Sequence, residues 1–160
     1  MKKLALYLLE RAELKKNLEE LHTRIMGNLL VQEGDAPIEN VIILLTTFED
    51  KMRRYEKLVK GINVANLLPI GKNKWNFLNL MEAIAKRDKY QRLSSMYKKA
   101  ADGLVPKQNP YSRSEIRFIP STDAKIIRET ADKYAKERRE IDEFIQSQNW
   151  AIEVAISDEG

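Results

Sequence analysis

Apolar residues recur at alternating spacings of three and four along two long segments of this 160-residue chain, with a polar residue at three of the positions. The first series consists of Leu4, Tyr7, Arg11, Leu14, Leu18, Leu21, Ile25 and Asn28. The second series consists of Val41, Leu45, Phe48, Met52, Tyr55, Val59, Ile62 and Asn66. Such a repeat keeps one face of a helix turned toward a partner helix. It therefore predicts long helices packed side by side, and it says little about chemistry.

Glycine and proline residues divide the chain into four helical segments. Gly34 and Pro37 separate the first two segments, Pro69 and Gly71 end the second, and Gly103 ends the third. We predict helices at about 3–29, 38–66, 79–102 and 122–148, in a single domain over 1–160. Because short connections make consecutive helices antiparallel, we predict an all-α fold, in which long antiparallel hairpins form a coiled-coil-like four-helix bundle.

Two segments outside these helices have the character of short strands. Residues 115–119 alternate polar and apolar side chains, and residues 150–155 are rich in β-branched residues. We predict that the two segments pair as a small β element.

The residue types exclude several classes of chemistry. The chain has no cysteine and one histidine, His22, so disulfides, thiol chemistry and a structural zinc site are not expected. Residues 66–72 resemble the end of a phosphate-binding loop, but Asn66 replaces its first glycine and Asn73 replaces the Ser/Thr after the lysine. Ser95 and Lys98 have the spacing of a Ser-x-x-Lys nucleophile, but they lie inside a predicted helix without the partner motifs. We predict no catalytic, cofactor-binding or metal-ligating residues.

No apolar run has the length of a membrane segment. The run Leu4–Leu9 ends at Glu10, too early for the core of an export signal, and the run Val41–Leu45 is too short to span a bilayer. We predict a soluble cytoplasmic protein without membrane contact.

Polar residues on the helix seams are the most informative irregularity. Arg11 interrupts a leucine-rich stripe, and an unpaired buried charge is costly, so Arg11 is expected to find a partner. A polar cluster could set helix register and oligomeric state, or it could line a ligand pocket. The candidate polar or ligand cluster consists of Arg11, Asn28, Glu33, Asn66, Arg87, Asp88, Tyr111, Arg113 and Glu115.

The segment 109–115 combines an aromatic ring, hydroxyl groups and an arginine in a predicted loop. Arg113 could bind a phosphate or a carboxylate through two parallel hydrogen bonds. Alternatively, Arg113 pairs with a helix carboxylate such as Asp88 and fixes the loop.

The net charge of +4 is unevenly distributed. Residues 86–117 contain nine Lys/Arg and three acidic residues, whereas residues 123–160 contain six Lys/Arg and ten acidic residues. The third and fourth helices could pair through complementary faces, or the basic region could bind an anionic partner such as nucleic acid. The candidate nucleic-acid contacts are Lys86, Lys89, Arg92, Lys98 and Lys99.

Several short motifs resemble an uncharacterised bacterial helical family that is sometimes labelled septicolysin. The motifs are Asn28 with 31–34, 62–63 with Asn66, 83–88, the run Tyr-Ser-Arg-Ser-Glu-Ile at 111–116, and Asn149 with Trp150. The resemblance implies a helical protein without an assigned function. The label implies a pore-forming cytolysin, for which the sequence offers no export signal, long membrane hairpin or disulfide. The chain departs from the family pattern over residues 67–78.

Three functional hypotheses follow. The first is a non-enzymatic oligomeric helical scaffold or interaction protein that forms a homo-oligomer through its helix seams. The second is a nucleic-acid-binding protein that uses the basic region 86–117. The third is a small-ligand site near Arg87, Asp88 and Arg113.

Overall fold

The computed structural model describes residues 1–106 and 118–157. In these residues it contains the elements β1 (Lys2–Lys3), α1 (Leu4–Gly27), α2 (Val41–Ala65), α3 (Leu80–Gly103), α4 (Ala124–Ala151) and β2 (Glu153–Val154). The prediction of an all-α fold with antiparallel helical hairpins is confirmed.

Two compact units make up the chain. The first unit contains Met1–Pro69 and Ser147–Gly160, and the second contains Ile70–Gln146. The single domain over 1–160 stays a prediction.

The first unit is built on the antiparallel pair of α1 and α2. Leu21 and Ile25 of α1 pack with Leu44 of α2. Leu58 and Ile62 extend the buried face of α2. The seam predicted for α1 is confirmed at its apolar positions, all of which are buried.

The seam predicted for α2 is wrong at Leu45 and Met52, which face solvent and not the partner helix. Leu44 and Leu58 are buried, whereas Leu45 and Met52 are 41% and 40% exposed. Apolar residues occupy both 44 and 45, so a spacing of three or four after Val41 fits the sequence equally well. The buried stripe follows the spacing of three, from Val41 to Leu44. A second apolar stripe that includes Leu45 therefore faces outward.

Helix α2 begins three residues later than predicted because Asn40 caps it. The Asn40 side chain accepts hydrogen bonds from the backbone N–H groups of Ile42 and Ile43, at 2.9 and 3.3 Å. An asparagine at this position satisfies N–H groups that have no partner inside the helix. Ile38 therefore lies in the connection and not in the helix.

The small β element pairs different segments of the chain from those predicted. β2 pairs antiparallel with β1, with Lys2 opposite Val154 and Lys3 opposite Glu153. The predicted segment 150–155 thus supplies one strand, but the N-terminus supplies the other. Residues 118–119 are not in a strand and are exposed, and residues 115–117 lie outside the described part of the chain.

In the second unit α3 and α4 run antiparallel. The Arg87 guanidinium lies 3.3 Å from the Asp142 carboxylate, and the Ser94 hydroxyl donates to the Ala131 carbonyl at 3.1 Å. Toward the other end of the pair, Arg128 lies 3.8 Å from Asp102. These pairs join successively later residues of α3 to earlier residues of α4.

Candidate interaction surface

A row of apolar side chains on the N-terminal half of α2 faces solvent. Ile42 is 69% exposed, and Leu45 and Met52 follow it at helical spacing. Ile38, four residues before Ile42, is 97% exposed. Glu49 lies on the same face between Leu45 and Met52. We call Ile38, Ile42, Leu45, Glu49 and Met52 the apolar face of α2.

The end of α1 and its connection to α2 add further apolar surface at the same end of the hairpin. Met26, Leu29, Leu30 and Val31 are all exposed. Exposed apolar residues that occur singly need no explanation, but contiguous patches mark interaction sites. The tip of the hairpin and the apolar face of α2 each expose several apolar side chains.

An open cleft of about 450 Å³ lies on the second half of this face. Phe48 and Met52 provide its apolar lining, and Glu49, Arg53 and Glu56 provide its charged lining. The charged groups therefore alternate in sign along the helix. Arg53 pairs with Asp50 one turn earlier. Among the described residues, the Glu49 side chain forms no hydrogen bond or ion pair.

Asn28 and an ion pair hold the two ends of the hairpin connection together. The Asn28 amide donates to the Arg24 carbonyl at 2.9 Å and accepts from the Glu39 N–H at 3.0 Å. Arg24 in turn binds both carboxylate oxygens of Glu39. These bonds fix the backbone next to Ile38, so they position the start of the apolar face.

The hydrogen bond and the positive charge of Arg24 hold the pKa of the Glu39 carboxyl below its ordinary value of 4.5. A lowered folded-state pKa stabilises the fold above the ordinary value, and this contribution is lost as the pH falls through the folded pKa. We expect Glu39→Gln to lower the melting temperature at pH 7 by about 2 °C, because an exposed ion pair stabilises weakly. The difference from the wild type should decrease progressively as the pH falls below 4.5. Thermal denaturation between pH 7 and pH 3 tests this, with Glu33→Gln as the control.

The C-terminal tail crosses the other end of the first unit. The N–H of Ile156 donates to the Tyr7 hydroxyl at 3.2 Å. Arg54 donates to the Ser157 carbonyl at 3.0 Å and also binds the Glu10 carboxylate. One arginine thus links α1, α2 and the tail.

Gly61 allows the tail to approach α2. A Cβ atom at this position would lie 2.6 Å from two carbons of the Ile156 side chain, so Gly61→Ala should displace the tail. We expect the Ile156 amide to exchange its hydrogen at least about tenfold faster in this variant, since its partner is lost. Gly27→Ala is the matched control, because no atom lies within 4 Å of a Cβ there. Unchanged exchange in Gly61→Ala would show that the tail tolerates the methyl group.

Comparisons with known proteins give a matching family and a similar solved structure. A family model, described as a family of unknown function (DUF6847), matches residues 11–154. The chain belongs to this family. It is also similar to the crystal structure of a functionally unknown conserved protein from Corynebacterium diphtheriae, with 36% sequence identity and a TM-score of 0.85. That similarity covers 96% of this chain and 98% of the other. A search of the curated proteins found no match.

The family match confirms that the chain belongs to a family of unknown function, as the resemblance implied. The septicolysin label appears in neither the family description nor the name of the similar structure. In the parts of the chain that the structure describes, no helix has the length and apolar character needed to cross a membrane. The same residues contain no group of three or more acidic or histidine side chains that could hold a metal ion.

Arg11 does not have the buried partner that its seam position suggested. It is half-buried and forms no ion pair with any described residue. A long arginine stem can lie on apolar surface while its charged end stays in water. The ion pair that crosses the hairpin is made instead by the adjacent Glu10, with Arg54.

The two seam asparagines end helices. Asn28 is the C-terminal cap of α1 and Asn66 that of α2. The Asn28 side chain bonds the Arg24 carbonyl and the Glu39 N–H, so this interruption of the seam has a local structural reason. Glu33, a third member of the candidate cluster, is exposed in the turn between the helices.

In the second unit, Arg87 is held by two carboxylates. It binds Asp88 at 2.9 Å and Asp142 at 3.3 Å. The structure therefore brings two members of the candidate cluster, Arg87 and Asp88, into contact. Its remaining members, Tyr111, Arg113 and Glu115, lie outside the described residues.

Sequence reasoning missed the role of Asn73 in the second unit. Its side-chain oxygen accepts from the N–H groups of Trp75 and Phe77, at 3.2 and 3.0 Å, and its amide donates to the Phe77 carbonyl at 2.9 Å. The rings of Trp75 and Phe77 then pack with Phe144 of α4. An asparagine just before closely spaced aromatic residues was the available signal.

The predicted nucleic-acid contacts all lie on α3. The Lys86 ammonium lies over the ring of Tyr90, 5.2 Å from the ring centre. The other four form no ion pair within the described residues: Lys89, Arg92, Lys98 and Lys99. The expected pairing of a basic α3 with an acidic α4 is therefore absent at these five positions.

Proposed function

We propose that this protein is a non-enzymatic helical interaction protein that self-associates through the apolar face of α2. The observation that carries this proposal is the exposure of Ile42, Leu45 and Met52 at helical spacing, on a helix that already buries its opposite stripe against α1. Burying a fully exposed aliphatic side chain contributes about 1.5–3 kcal/mol, and these partly exposed side chains contribute a fraction of that each. Their burial favours association.

The charges on this face favour a second copy of the chain as the partner. In a twofold symmetric contact, residue i of one protomer meets residue j of its partner, and the reverse. If two α2 helices pair antiparallel near position 51, Glu49 of each protomer meets Arg53 of the other. Glu49 would gain the partner that it lacks among the described residues. Arg53 would exchange an exposed pair within its own helix, which stabilises weakly, for one between chains.

The contacts of Arg87 also favour an interaction protein over a ligand site. A guanidinium that already binds Asp88 and Asp142 has fewer donors to offer a ligand. The small-ligand hypothesis relies on this residue.

Selective cross-linking tests the proposal, because the natural chain has no cysteine. Met52→Cys places a single thiol on the apolar face, near the expected symmetry axis. Glu13→Cys places one at an exposed position on α1. With a short bismaleimide, we expect a covalent dimer from Met52→Cys and little from Glu13→Cys. Equal yields from the two variants, or no dimer from either at high protein concentration, would refute self-association through this face.

A further inference from the structure

The outward face of α3 carries a row of cations whose charge the described protein does not neutralise. Lys89, Arg92 and Lys99 are all exposed. At 3.6 residues per turn, their positions fall within about 80° of the helix circumference. The buried residues Leu80 and Ala83 lie on the opposite side. The three cations therefore point away from the core of the second unit.

Acidic residues are present on the neighbouring helix but do not pair with this row. Glu129, Asp132 and Glu137 of α4 form no ion pair with any cation of α3 among the described residues. The ion pairs that the structure shows between the two helices are Arg87 with Asp142 and Arg128 with Asp102. In the second of these, α3 contributes the acid. The row thus retains its full charge at the surface.

The row also has an apolar member. Met96 lies between Arg92 and Lys99 on the same face and is 64% exposed. A flexible thioether beside cations can pack against a sugar or a base while the cations contact phosphates. Asp88, the nearest acid at the edge of the row, is held by Arg87.

We propose that this face of α3 binds the phosphate backbone of nucleic acid without sequence preference. From Lys89 to Lys99 the row spans about 15 Å of helix axis. Over that length a DNA duplex presents roughly nine phosphate charges, at one per 1.7 Å. Phosphate contacts of this kind give affinity and orientation but do not read sequence. The row shares no residue with the apolar face of α2, so the proposal does not rest on the proposed self-association.

Salt-dependent binding of the full-length chain tests the proposal. The probe is a fluorescent 20-base-pair DNA duplex followed by anisotropy between 50 and 200 mM salt. Each phosphate contact contributes about 0.9 to the slope of log K against log salt. The triple variant Lys89→Ala, Arg92→Ala, Lys99→Ala should therefore lose at least about tenfold in affinity at 50 mM salt, and its slope should be shallower by about 2.7.

A second triple variant distinguishes the effect of the cation row from the effect of net charge. Lys15→Ala, Lys72→Ala, Lys125→Ala removes three exposed lysines that are dispersed over the chain, so both variants fall from +4 to +1. The dispersed variant should bind within about threefold of the wild type. Equal losses in the two variants would overturn the proposal, as would absence of binding by the wild type at 50 mM salt. Tighter binding of poly-glutamate than of the duplex would also overturn it, in favour of an acidic protein partner.

Discussion

The double variant Ile42→Glu, Leu45→Glu should be monomeric at concentrations where the wild type is associated. Both side chains are exposed within one chain, so the substitutions should leave the fold of the monomer intact. In the proposed dimer they place four carboxylates on the face that the partner covers. Burying charges in place of apolar side chains is costly. We expect the association constant to fall by at least about a hundredfold, which corresponds to about 2.8 kcal/mol.

Light scattering after size exclusion measures this change, and circular dichroism verifies that helix content is retained. The matched control is Leu9→Glu, Met96→Glu, which adds the same two charges at exposed apolar positions outside the apolar face. This control should keep the wild-type mass. If both double variants dissociate equally, general charge repulsion and not the apolar face governs association. If the first variant keeps the wild-type mass, the contact lies elsewhere.

The second large effect concerns the stability of the first unit. Leu58 is fully buried in α2, and removing most of its side chain leaves a cavity. We expect Leu58→Ala to lower the free energy of unfolding by about 2–5 kcal/mol. Val64→Ala, on the same helix but exposed, should change it by about 0.5 kcal/mol or less. Urea denaturation followed by circular dichroism measures both values.

These two substitutions are compared at one protein concentration, because association would add to the apparent stability. A loss below about 1 kcal/mol for Leu58→Ala would indicate that the hairpin collapses around the smaller side chain. A comparable loss for Val64→Ala would show that position 64 is covered in the assembled protein.

The helices themselves could be predicted from the sequence, but the phase of α2 could not. In α1 charged residues flank the apolar seam from Glu10 onward, and the structure buries the predicted apolar positions. In α2 the run from Val41 to Leu45 offers apolar residues in both phases. Packing against Leu21 and Ile25 selects Leu44, which is a tertiary preference that local spacing does not contain. The apolar face of α2 is the consequence of that choice.

The small β element shows a similar limit. The β-branched side chains of residues 150–155 predict a strand, but they do not predict which segment pairs with it. Lys2 and Lys3 are too few to form a recognisable strand pattern, and their partner lies about 150 residues away in the sequence. The role of Gly61 was hidden for the same reason, since it depends on contact with Ile156 of the distant tail.

Among the candidate site residues, sequence reasoning identified unusual positions more readily than their roles. Asn28 and Asn66 stood out as polar residues on apolar seams, and the structure shows both as helix caps. No sequence pattern predicts the role of Arg54, which connects Glu10 and the C-terminal tail. Its significance arises only when three segments far apart in sequence come together.

The most direct test of self-association is the molar mass of the wild-type chain measured by light scattering over a wide range of protein concentrations. The monomer has a mass of 18.6 kDa. We predict a mass of at least twice this value at high concentration, with a decrease toward the monomer on dilution. A mass equal to that of the monomer at every concentration, up to the solubility limit, would contradict the proposal that a second copy covers the apolar face of α2.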